Sequence, residues 1–146
     1  MNKHLNSVIQ KRIERTMKAL EKNYMQAFYA ENKEEALNLV KNMLTQGAKV
    51  AAGGSVTLAK CGIIEYLKTG GFNYLDRAQP GLDAESTHQL LVDSFSADFY
   101  LSSSNAITEN GELYNVDGNG NRVAALIFGP KKVIIVAGYN KIVKTL

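Results

Sequence analysis

The segment KVAAGGSVTLAKCGIIEYLKTGGFNYL, residues 49–75, carries the pattern on which the fold prediction rests. It begins with a short apolar run, Lys49 to Ala52, which breaks at Gly53-Gly54. Ser55 then precedes apolar residues spaced as on a helix, and residues 72–75 form a second strand pattern. Parallel neighbouring strands need a crossover connection, which is usually a helix. The segment therefore predicts two parallel strands joined by a helix.

The same alternation of strands and helices continues through most of the chain. Helices are predicted over 5–20 and 123–128, from Asn32 to Gly47 and from Asp83 to Phe95, and further strands at 24–29, 97–101 and 133–137. Asn110-Gly111 is a hairpin signal between 106–108 and 112–116. We therefore predict an α/β fold of three layers, a largely parallel sheet with helices on both faces and one inserted β-hairpin.

The composition is that of one folded domain. The chain has 146 residues, of which 45% are hydrophobic and 21% are charged, values that are typical of soluble globular proteins. We predict that residues 1–22 form an N-terminal helix, which packs on a domain formed by residues 23–146.

Charge and cysteine content exclude several classes of protein. The formal net charge is only +3, and the chain lacks the recognisable module or the basic stripe with exposed aromatic residues that nucleic-acid binders show. Cys61 is the single cysteine, so no internal disulfide can form. Neither a signal-peptide core nor a run of roughly 20 apolar residues is present. We expect a cytoplasmic protein with no membrane span and no nucleic-acid partner.

A glycine-rich turn follows the first strand of the opening segment. Gly53, Gly54 and Ser55 precede a helix, where free backbone N–H groups could hold a phosphate or carboxylate, and Thr57 adds a hydroxyl. The alternative is a tight turn in which Ser55 only caps the helix. The spacing matches neither a P-loop nor a dinucleotide-binding fingerprint.

Two later stretches offer further polar groups. The serine run Ser102-Ser103-Ser104, followed by Asn105, comes directly after the strand predicted at 97–101, and ligands of open α/β sheets lie at such strand ends. Ser104 and Asn105 are the expected ligand residues of this stretch; the alternative is a turn whose side chains bond their own backbone. A glycine-rich loop then brings Asn119, Gly120 and Arg122, whose guanidinium could pair with a carboxylate or phosphate. The alternative for Arg122 is an ion pair at the surface or between subunits.

Two stretches resemble a known bacterial family. ADFYLSSSNAITENGELYNVDGNGNRVAALIFGPKKVIIVAGYNKIV, residues 97–143, and GGSVTLAKCGIIEYLK, residues 53–68, are similar to the lactate-utilisation (LUD) domain. The resemblance covers most of the chain beyond residue 25. Family members commonly continue for several dozen residues beyond the position of Leu146, often with a cysteine-bearing tail, so this chain is expected to be shorter at its C-terminus.

The resemblance implies both a fold and a biological setting. The family is placed with class I CoA-transferases, ribose-5-phosphate isomerase and 5-formyltetrahydrofolate cyclo-ligase, whose ligands lie at strand ends. It also implies a role beside an iron-sulfur L-lactate oxidation system that converts lactate to pyruvate. The iron-sulfur subunits of that system are therefore the expected protein partners.

Glu109 is the residue through which the resemblance suggests catalysis. Thr108-Glu109-Asn110-Gly111 resembles the Ser-Glu-Asn-Gly segment of class I CoA-transferases, in which the glutamate attacks an acyl-CoA to form a thioester intermediate. Two alternatives remain open: Glu109 contacts a ligand without reacting, or it only precedes the turn residues Asn110-Gly111.

The remaining chemistry-bearing residues do not form a second centre. His4, His88 and Cys61 are separated and carry no motif, so structural or solvated roles are expected and a protein-bound metal is not. The leading hypothesis is an accessory or ligand-binding domain of lactate utilisation that binds a small anionic metabolite, with the cofactor unknown and a homo-oligomer allowed. The alternative is an enzyme with CoA-transferase-like or cyclo-ligase-like chemistry at Glu109, and the sequence leaves enzymatic activity open.

Overall fold

The computed structural model describes residues 3–146, with side chains described from Asn6 onward. The first helix, α1, runs over Lys3–Lys22, which confirms the helix predicted over 5–20. Met1 and Asn2, the first residues of the predicted N-terminal segment, lie outside the described residues, as does the side chain of His4. The predicted domain boundary between residues 22 and 23 stays a prediction.

Five further helices and seven strands follow α1 in the described chain. The helices are α2 (Lys33–Met43), α3 (Val56–Lys60), α4 (Ile63–Thr69), α5 (Ala84–Asp93) and α6 (Asn121–Ile127), with single 3-10 turns at Ser94–Ser96 and Tyr139–Lys141. The strands are β1 (Lys49–Ala52), β2 (Asn73–Leu75), β3 (Phe99–Ser102), β4 (Ala106–Thr108), β5 (Leu113–Tyr114), β6 (Lys132–Ile135) and β7 (Ile142–Val143).

These elements belong to two compact units that are interleaved along the chain. The first, which we call the helix–hairpin unit, is formed by Met1–Tyr29, Ser104–Val116 and Ala137–Leu146. The second, the sheet unit, is formed by Ala30–Ser103 and Asp117–Val136. Each unit therefore contains stretches that are distant in sequence.

The sheet unit contains a four-stranded sheet in the order β2-β1-β3-β6. All three pairings are parallel, with Val50 opposite Tyr74 on one side and Phe99 on the other. The chain passes from β1 to β2 through α3 and α4 and then returns to the opposite side of β1 through α5. The predicted parallel sheet with helical crossovers is confirmed.

Helices cover both faces of this sheet, because side chains alternate between the two faces along each strand. Val50 and Leu101 belong to a cluster on one face, together with side chains of α2, α3 and α4: Val40, Leu58, Ile63 and Leu67. Ala51 and Tyr100 point to the other face, where they pack with Ala125 of α6. The sheet unit is therefore the three-layer α/β arrangement that the sequence predicts.

The helix–hairpin unit contains the inserted hairpin. β4 and β5 pair antiparallel, and β7 adds a parallel neighbour on the other edge of β4. Gly111 closes the turn with φ +82°, and a Cβ at this position would lie 2.5 Å from the carbonyl carbon of Ala19 in α1. The hairpin at Asn110-Gly111 is confirmed, whereas β7 was missed, since a two-residue strand carries little sequence pattern.

The strand predicted at residues 24–29 is wrong. Tyr24 lies in the left-handed region, with φ +61°. The Met25 N–H donates to Leu20 O at 3.1 Å and the Tyr24 N–H donates to Glu21 O at 3.1 Å. These two bonds close the end of α1 in a Schellman motif. The aromatic run therefore begins as a helix cap, and no strand forms over these residues.

Two helix boundaries also differ from the prediction. The helix capped by Asn32, whose side chain accepts the Glu35 N–H, ends at Met43 rather than at Gly47, because Leu44 is already extended. The helix capped by Ser55 is interrupted at Gly62, which has φ +72° and separates α3 from α4. A left-handed residue cannot continue a right-handed helix, so the predicted single helix becomes two short ones.

Candidate functional site

The strand order of the sheet reverses between β1 and β3. The carboxyl ends of these two strands therefore lie at the switch point of the sheet. The chain connects β1 to β2 on one side and then places β3 on the other side of β1. In open α/β sheets this arrangement leaves a crevice beyond the ends of the two central strands, where ligands bind. The residues that follow the two strands are Gly53-Gly54 after β1 and Ser103 after β3. The Gly53 N–H donates to Leu101 O at 2.9 Å, so the two strand ends stay paired.

Arg122 lies over the Gly53 end of this crevice. A Cβ on Gly53 would be 3.0 Å from Cδ of Arg122 and 3.2 Å from Oγ of Ser102. A Cβ at position 53 would therefore require the side chains of Arg122 and Ser102 to shift by a few tenths of an ångström. The neighbouring Gly54 has no described atom within 4 Å of its own Cβ position and is exposed, so there is free space beside it.

The guanidinium of Arg122 is held in a defined orientation. Its Nε donates to Oδ1 of Asp117 at 2.8 Å and its Nη1 donates to the carbonyl oxygen of Ser103 at 3.1 Å. Only 13% of the Arg122 side chain and 9% of the Asp117 side chain are exposed. The second Asp117 oxygen accepts the Val123 N–H at 2.6 Å, which ties the glycine-rich loop to α6. Arg122 thus forms a largely buried ion pair within the sheet unit, whereas the alternative placed an ion pair at the surface or between subunits. Contact of Arg122 with a ligand stays a prediction.

The hydroxyl oxygen of Ser103 is a buried polar atom to which a ligand could hydrogen-bond. It has no hydrogen-bond partner among the residues that the structure describes. A buried hydroxyl without a partner is costly and needs an explanation, such as a ligand or a water that completes it. The neighbouring Ser102 differs, because its hydroxyl donates to the Ser103 carbonyl at 2.9 Å. The sequence pattern identified the serine run but could not separate Ser103 from its neighbours.

A protein-family model matches most of this chain. The model described as LUD domain matches residues 13–146. The chain belongs to the LUD domain family. The match begins inside α1 and includes every other element of the fold. It supports a role in lactate utilisation in general. No curated protein and no solved structure gives a significant match.

Ser104 and Asn105, two other predicted ligand residues of this LUD domain, lie in the helix–hairpin unit. Both form hydrogen bonds with backbone groups of the hairpin. The Ser104 hydroxyl lies 2.9 Å from the carbonyl oxygen of Ala106 and 3.1 Å from that of Tyr114. The Asn105 Oδ1 accepts the Val116 N–H at 3.1 Å. These bonds join the two sides of the hairpin, as in the turn alternative, and the ligand role of both residues stays a prediction.

The residues on either side of the crevice have mixed roles. Ser55 caps α3 by accepting the Leu58 N–H at 3.2 Å, as the capping alternative states. Thr57 is half-buried in α3, and that helix has only five residues, so its dipole is small. Asn119 and Gly120 are exposed in the loop before α6, where Gly120 has φ +73°. Ligand contact by any of them stays a prediction.

Glu109 occupies the hairpin turn and forms two ion pairs with α1. Its Oε1 accepts Nε of Arg12 at 2.7 Å, and its Oε2 accepts Nη2 of Arg15 at 3.1 Å. The hydrogen bonds from Arg15 and Arg12 hold the pKa of the Glu109 carboxyl below its usual range. Both carboxylate oxygens thus bind guanidinium groups, which lowers their nucleophilicity. The contacts suit a residue that joins the hairpin to the helix.

Two further observations concern metal sites and membrane spans. Within the described part of the LUD domain, no three His, Cys, Asp or Glu side chains converge in a way that could hold a metal ion. Cys61 is a free, half-buried cysteine. Among residues 3–146, none of the helices combines the length and apolar character that crossing a bilayer requires.

Proposed function

We propose that this LUD domain binds a small anionic metabolite in the crevice beyond β1 and β3, as an accessory domain of lactate utilisation. The observation that carries the proposal is the buried hydroxyl of Ser103, which has no partner among the described residues and lies at the switch point of the parallel sheet. That hydroxyl can donate to one oxygen of the anion. The exposed backbone at Gly54 lets the ligand approach closely.

The charges around the crevice favour a singly charged carboxylate over a phosphate dianion. Arg122 provides a positive charge next to Ser103, but Asp117 lies 2.8 Å from its Nε and balances that charge. A phosphate dianion would have to bind beside the Arg122–Asp117 ion pair, whose net charge is already zero. A monocarboxylate such as lactate or pyruvate has less charge to compensate and can be held largely by hydrogen bonds.

Titration of the isotope-labelled protein with L-lactate, pyruvate and inorganic phosphate, followed by backbone amide NMR, tests this proposal. The expected result is saturable shifts at residues 53–55, 103 and 117–122 with a carboxylate. Ser103→Ala should weaken the affinity about tenfold, which corresponds to the loss of one hydrogen bond. Ser7→Ala, at an exposed position of α1, is the matched control. Shifts confined to other residues, or equal binding by Ser103→Ala, would contradict the site.

The wider setting is part of the same proposal. A cytoplasmic LUD domain would act beside iron-sulfur subunits that oxidise L-lactate, as family membership and the resemblance of residues 97–143 support. Affinity purification of a tagged chain from cells grown on lactate should recover those subunits, and deletion of the gene should impair growth on lactate but not on glucose. Unimpaired growth and purification without iron-sulfur subunits would contradict this role. A homo-oligomer stays a prediction, which light scattering would test.

Acyl transfer through Glu109 stays a prediction with its own test. A covalent mechanism requires Glu109 to leave Arg12 and Arg15 and to attack a thioester carbonyl, which expels the CoA thiolate and leaves an acyl-glutamyl anhydride. The thiolate then attacks the Glu109 carbonyl, which forms the glutamyl-CoA thioester and releases the acyl group as a free carboxylate. Incubation with a panel of acyl-CoA thioesters and hydroxylamine, followed by mass spectrometry, would reveal an adduct on Glu109 if the enzyme reading is right. Absence of turnover and of an adduct across the panel would reject it.

A further inference from the structure

Four cationic side chains form an exposed stripe along α1. Lys11, Arg15, Lys18 and Lys22 are spaced by four, three and four residues, which places them on one face of the helix. We call this set the cationic stripe; at the rise of an α-helix it is about 16 Å long. In residues 1–29, six Lys and Arg stand against two Asp and Glu. The sequence analysis predicted that the chain has no basic stripe with exposed aromatic residues, and the exposed face of α1 corrects that prediction.

Most of the stripe is not neutralised by other side chains. Lys11, Lys18 and Lys22 form no ion pair with another described residue. Arg15 shares Glu109 with Arg12, yet 61% of the Arg15 side chain remains exposed. The positive potential of the stripe is therefore directed to solvent, where it can attract an acidic surface.

The stripe ends next to a strained, exposed tyrosine. Tyr24 has φ +61° at the position after the helix where glycine is usual. Tyr24 is 100% exposed, so no packing against the described residues offsets the backbone strain. Strain of this kind persists at sites where the side chain serves a function. A contact outside this chain is a direct reason to keep a tyrosine there.

An open groove lies beside Tyr24. It is lined by Glu21, Tyr24, Met25, Gln26, Ala27 and Phe28. Phe28 is 56% exposed, so the groove joins two accessible aromatic rings to the end of the cationic stripe. Aromatic side chains at the edge of a charged surface are typical anchors of protein interfaces.

We propose that the cationic stripe and the Tyr24 groove bind an acidic segment of a partner protein. Carboxylates of the partner would lie along Lys11, Lys18 and Lys22, and an apolar side chain would enter the groove. This inference goes beyond the anion site in the sheet unit, since it uses none of its residues.

Other residues of α1 make a lipid bilayer or a nucleic acid an unfavourable partner for the stripe. Glu14 and Glu21 flank the stripe and repel the closely spaced phosphates of either surface. A helix that lies in a membrane interface needs a free apolar face, whereas Thr16 is buried and Ile13 and Met17 are half-buried. A protein segment can place its carboxylates selectively and avoid both glutamates.

Fluorescence anisotropy with a defined peptide tests the proposal. The probe is a labelled, helix-forming peptide of about 18 residues, long enough to span the stripe, with glutamates at the same four-three-four spacing and Leu-Phe at one end. The intact protein should bind it saturably and more weakly as NaCl rises from about 50 to 200 mM. A peptide with glutamine in place of each glutamate is the matched ligand control and should bind at least tenfold more weakly, about 1.4 kcal/mol.

Two variants separate binding from folding. Lys11→Glu with Lys18→Glu should weaken binding of the probe about tenfold or more, whereas Lys60→Glu, an exposed cation of α3, should not. Tyr24→Gly should also weaken binding about tenfold, while its urea midpoint stays equal or rises, because glycine accepts the left-handed conformation. Phe128→Ser, at an 84% exposed aromatic outside the groove, should bind as the parent does.

Several outcomes would overturn the proposal. These are absence of saturable peptide binding, unchanged affinity in Tyr24→Gly, and an equal loss in Lys60→Glu. Tighter binding to phosphatidylserine vesicles or to a DNA duplex than to the peptide would assign the surface to a different partner class. Self-association that Tyr24→Gly abolishes would assign it to a second copy of the chain. None of these results depends on Ser103, so the anion site stands or falls separately.

Discussion

Arg122 packs directly on the backbone of Gly53, so that a Cβ on Gly53 would lie 3.0 Å from Cδ and 3.3 Å from Cγ of the arginine. Gly53→Ala should therefore displace the guanidinium and destabilise the protein by about 1–2 kcal/mol. Gly54→Ala is the matched control, because nothing lies within 4 Å of that Cβ position, and it should change stability by less than about 0.5 kcal/mol. Urea unfolding measures both; equal effects would show that the close approach is unimportant.

We expect the ion pair with Asp117 to contribute most to holding the Arg122 guanidinium in its orientation. Asp117→Asn leaves a largely buried guanidinium without its counter-charge, at a cost of about 3 kcal/mol. Lys131→Ala removes an ion pair with Asp98 in which the lysine is 76% exposed, and it should cost under about 1 kcal/mol.

A double-mutant cycle isolates the Asp117–Arg122 pair from other effects of the substitutions. Adding Arg122→Met to Asp117→Asn should recover part of the lost stability, because the unpaired charge is then gone. Strict additivity of the two single substitutions in urea unfolding would contradict a coupled pair.

Gly111 combines a positive φ with a close contact to α1. Gly111→Ala would place a Cβ 2.5 Å from the backbone of Ala19 at φ +82°, so we expect a loss of about 2–4 kcal/mol. Gly47→Ala is the control, since Gly47 has φ +75° and nothing within 4 Å; it should lose only about 1 kcal/mol. Thermal and urea unfolding would give both values, and equal losses would mean that the contact with α1 contributes nothing.

Glu109 should make stability depend on pH in the acidic range. Arg15 and Arg12 lower the pKa of its carboxyl in the folded state, so the unfolded chain takes up the proton first as pH falls. The stabilisation is therefore complete well above the unfolded pKa of about 4.3 and is lost as the pH falls from there through the lower folded pKa. The free energy of unfolding of the parent should exceed that of Glu109→Gln at pH 7, and the difference should shrink toward pH 3. A difference that stays constant across that range would contradict the ion pairs with Arg12 and Arg15.

The sequence predicted most helices and strands of the sheet unit, because helix caps and apolar runs are local features of the chain. Caps at Asn32, Ser55 and Asp83 are all realised, and the apolar runs at β1, β3 and β6 are buried strands or edges of the parallel sheet. Within this unit the prediction failed at two helix ends, Leu44 and Gly62. Outside it, the strand predicted at 24–29 was wrong. The aromatic run after α1 became a helix cap because Tyr24 adopted a conformation that its residue type does not favour.

The candidate site was predicted by region but not residue by residue. The strand ends at Gly53 and the serine run could be found from pattern alone. The hydroxyl of Ser103 could not, because three consecutive serines look alike in sequence and only packing decides which buried oxygen lacks a partner among the described residues. The pairing of Asp117 with Arg122 was also missed, because a spacing of five residues in a glycine-rich loop specifies no particular contact.

The interleaving of the two units has a consequence for biosynthesis. The chain changes unit four times, at 29–30, 103–104, 116–117 and 136–137, and β7, which completes the small sheet of the helix–hairpin unit, is formed by Ile142–Val143. On a ribosome, α1 is made before the hairpin and β7, so its unit cannot close until residues 142–143 have been made. Until then the apolar face of α1 is available to chaperones and to misassembly, so the speed of translation between α1 and β7 should influence the yield of folded protein.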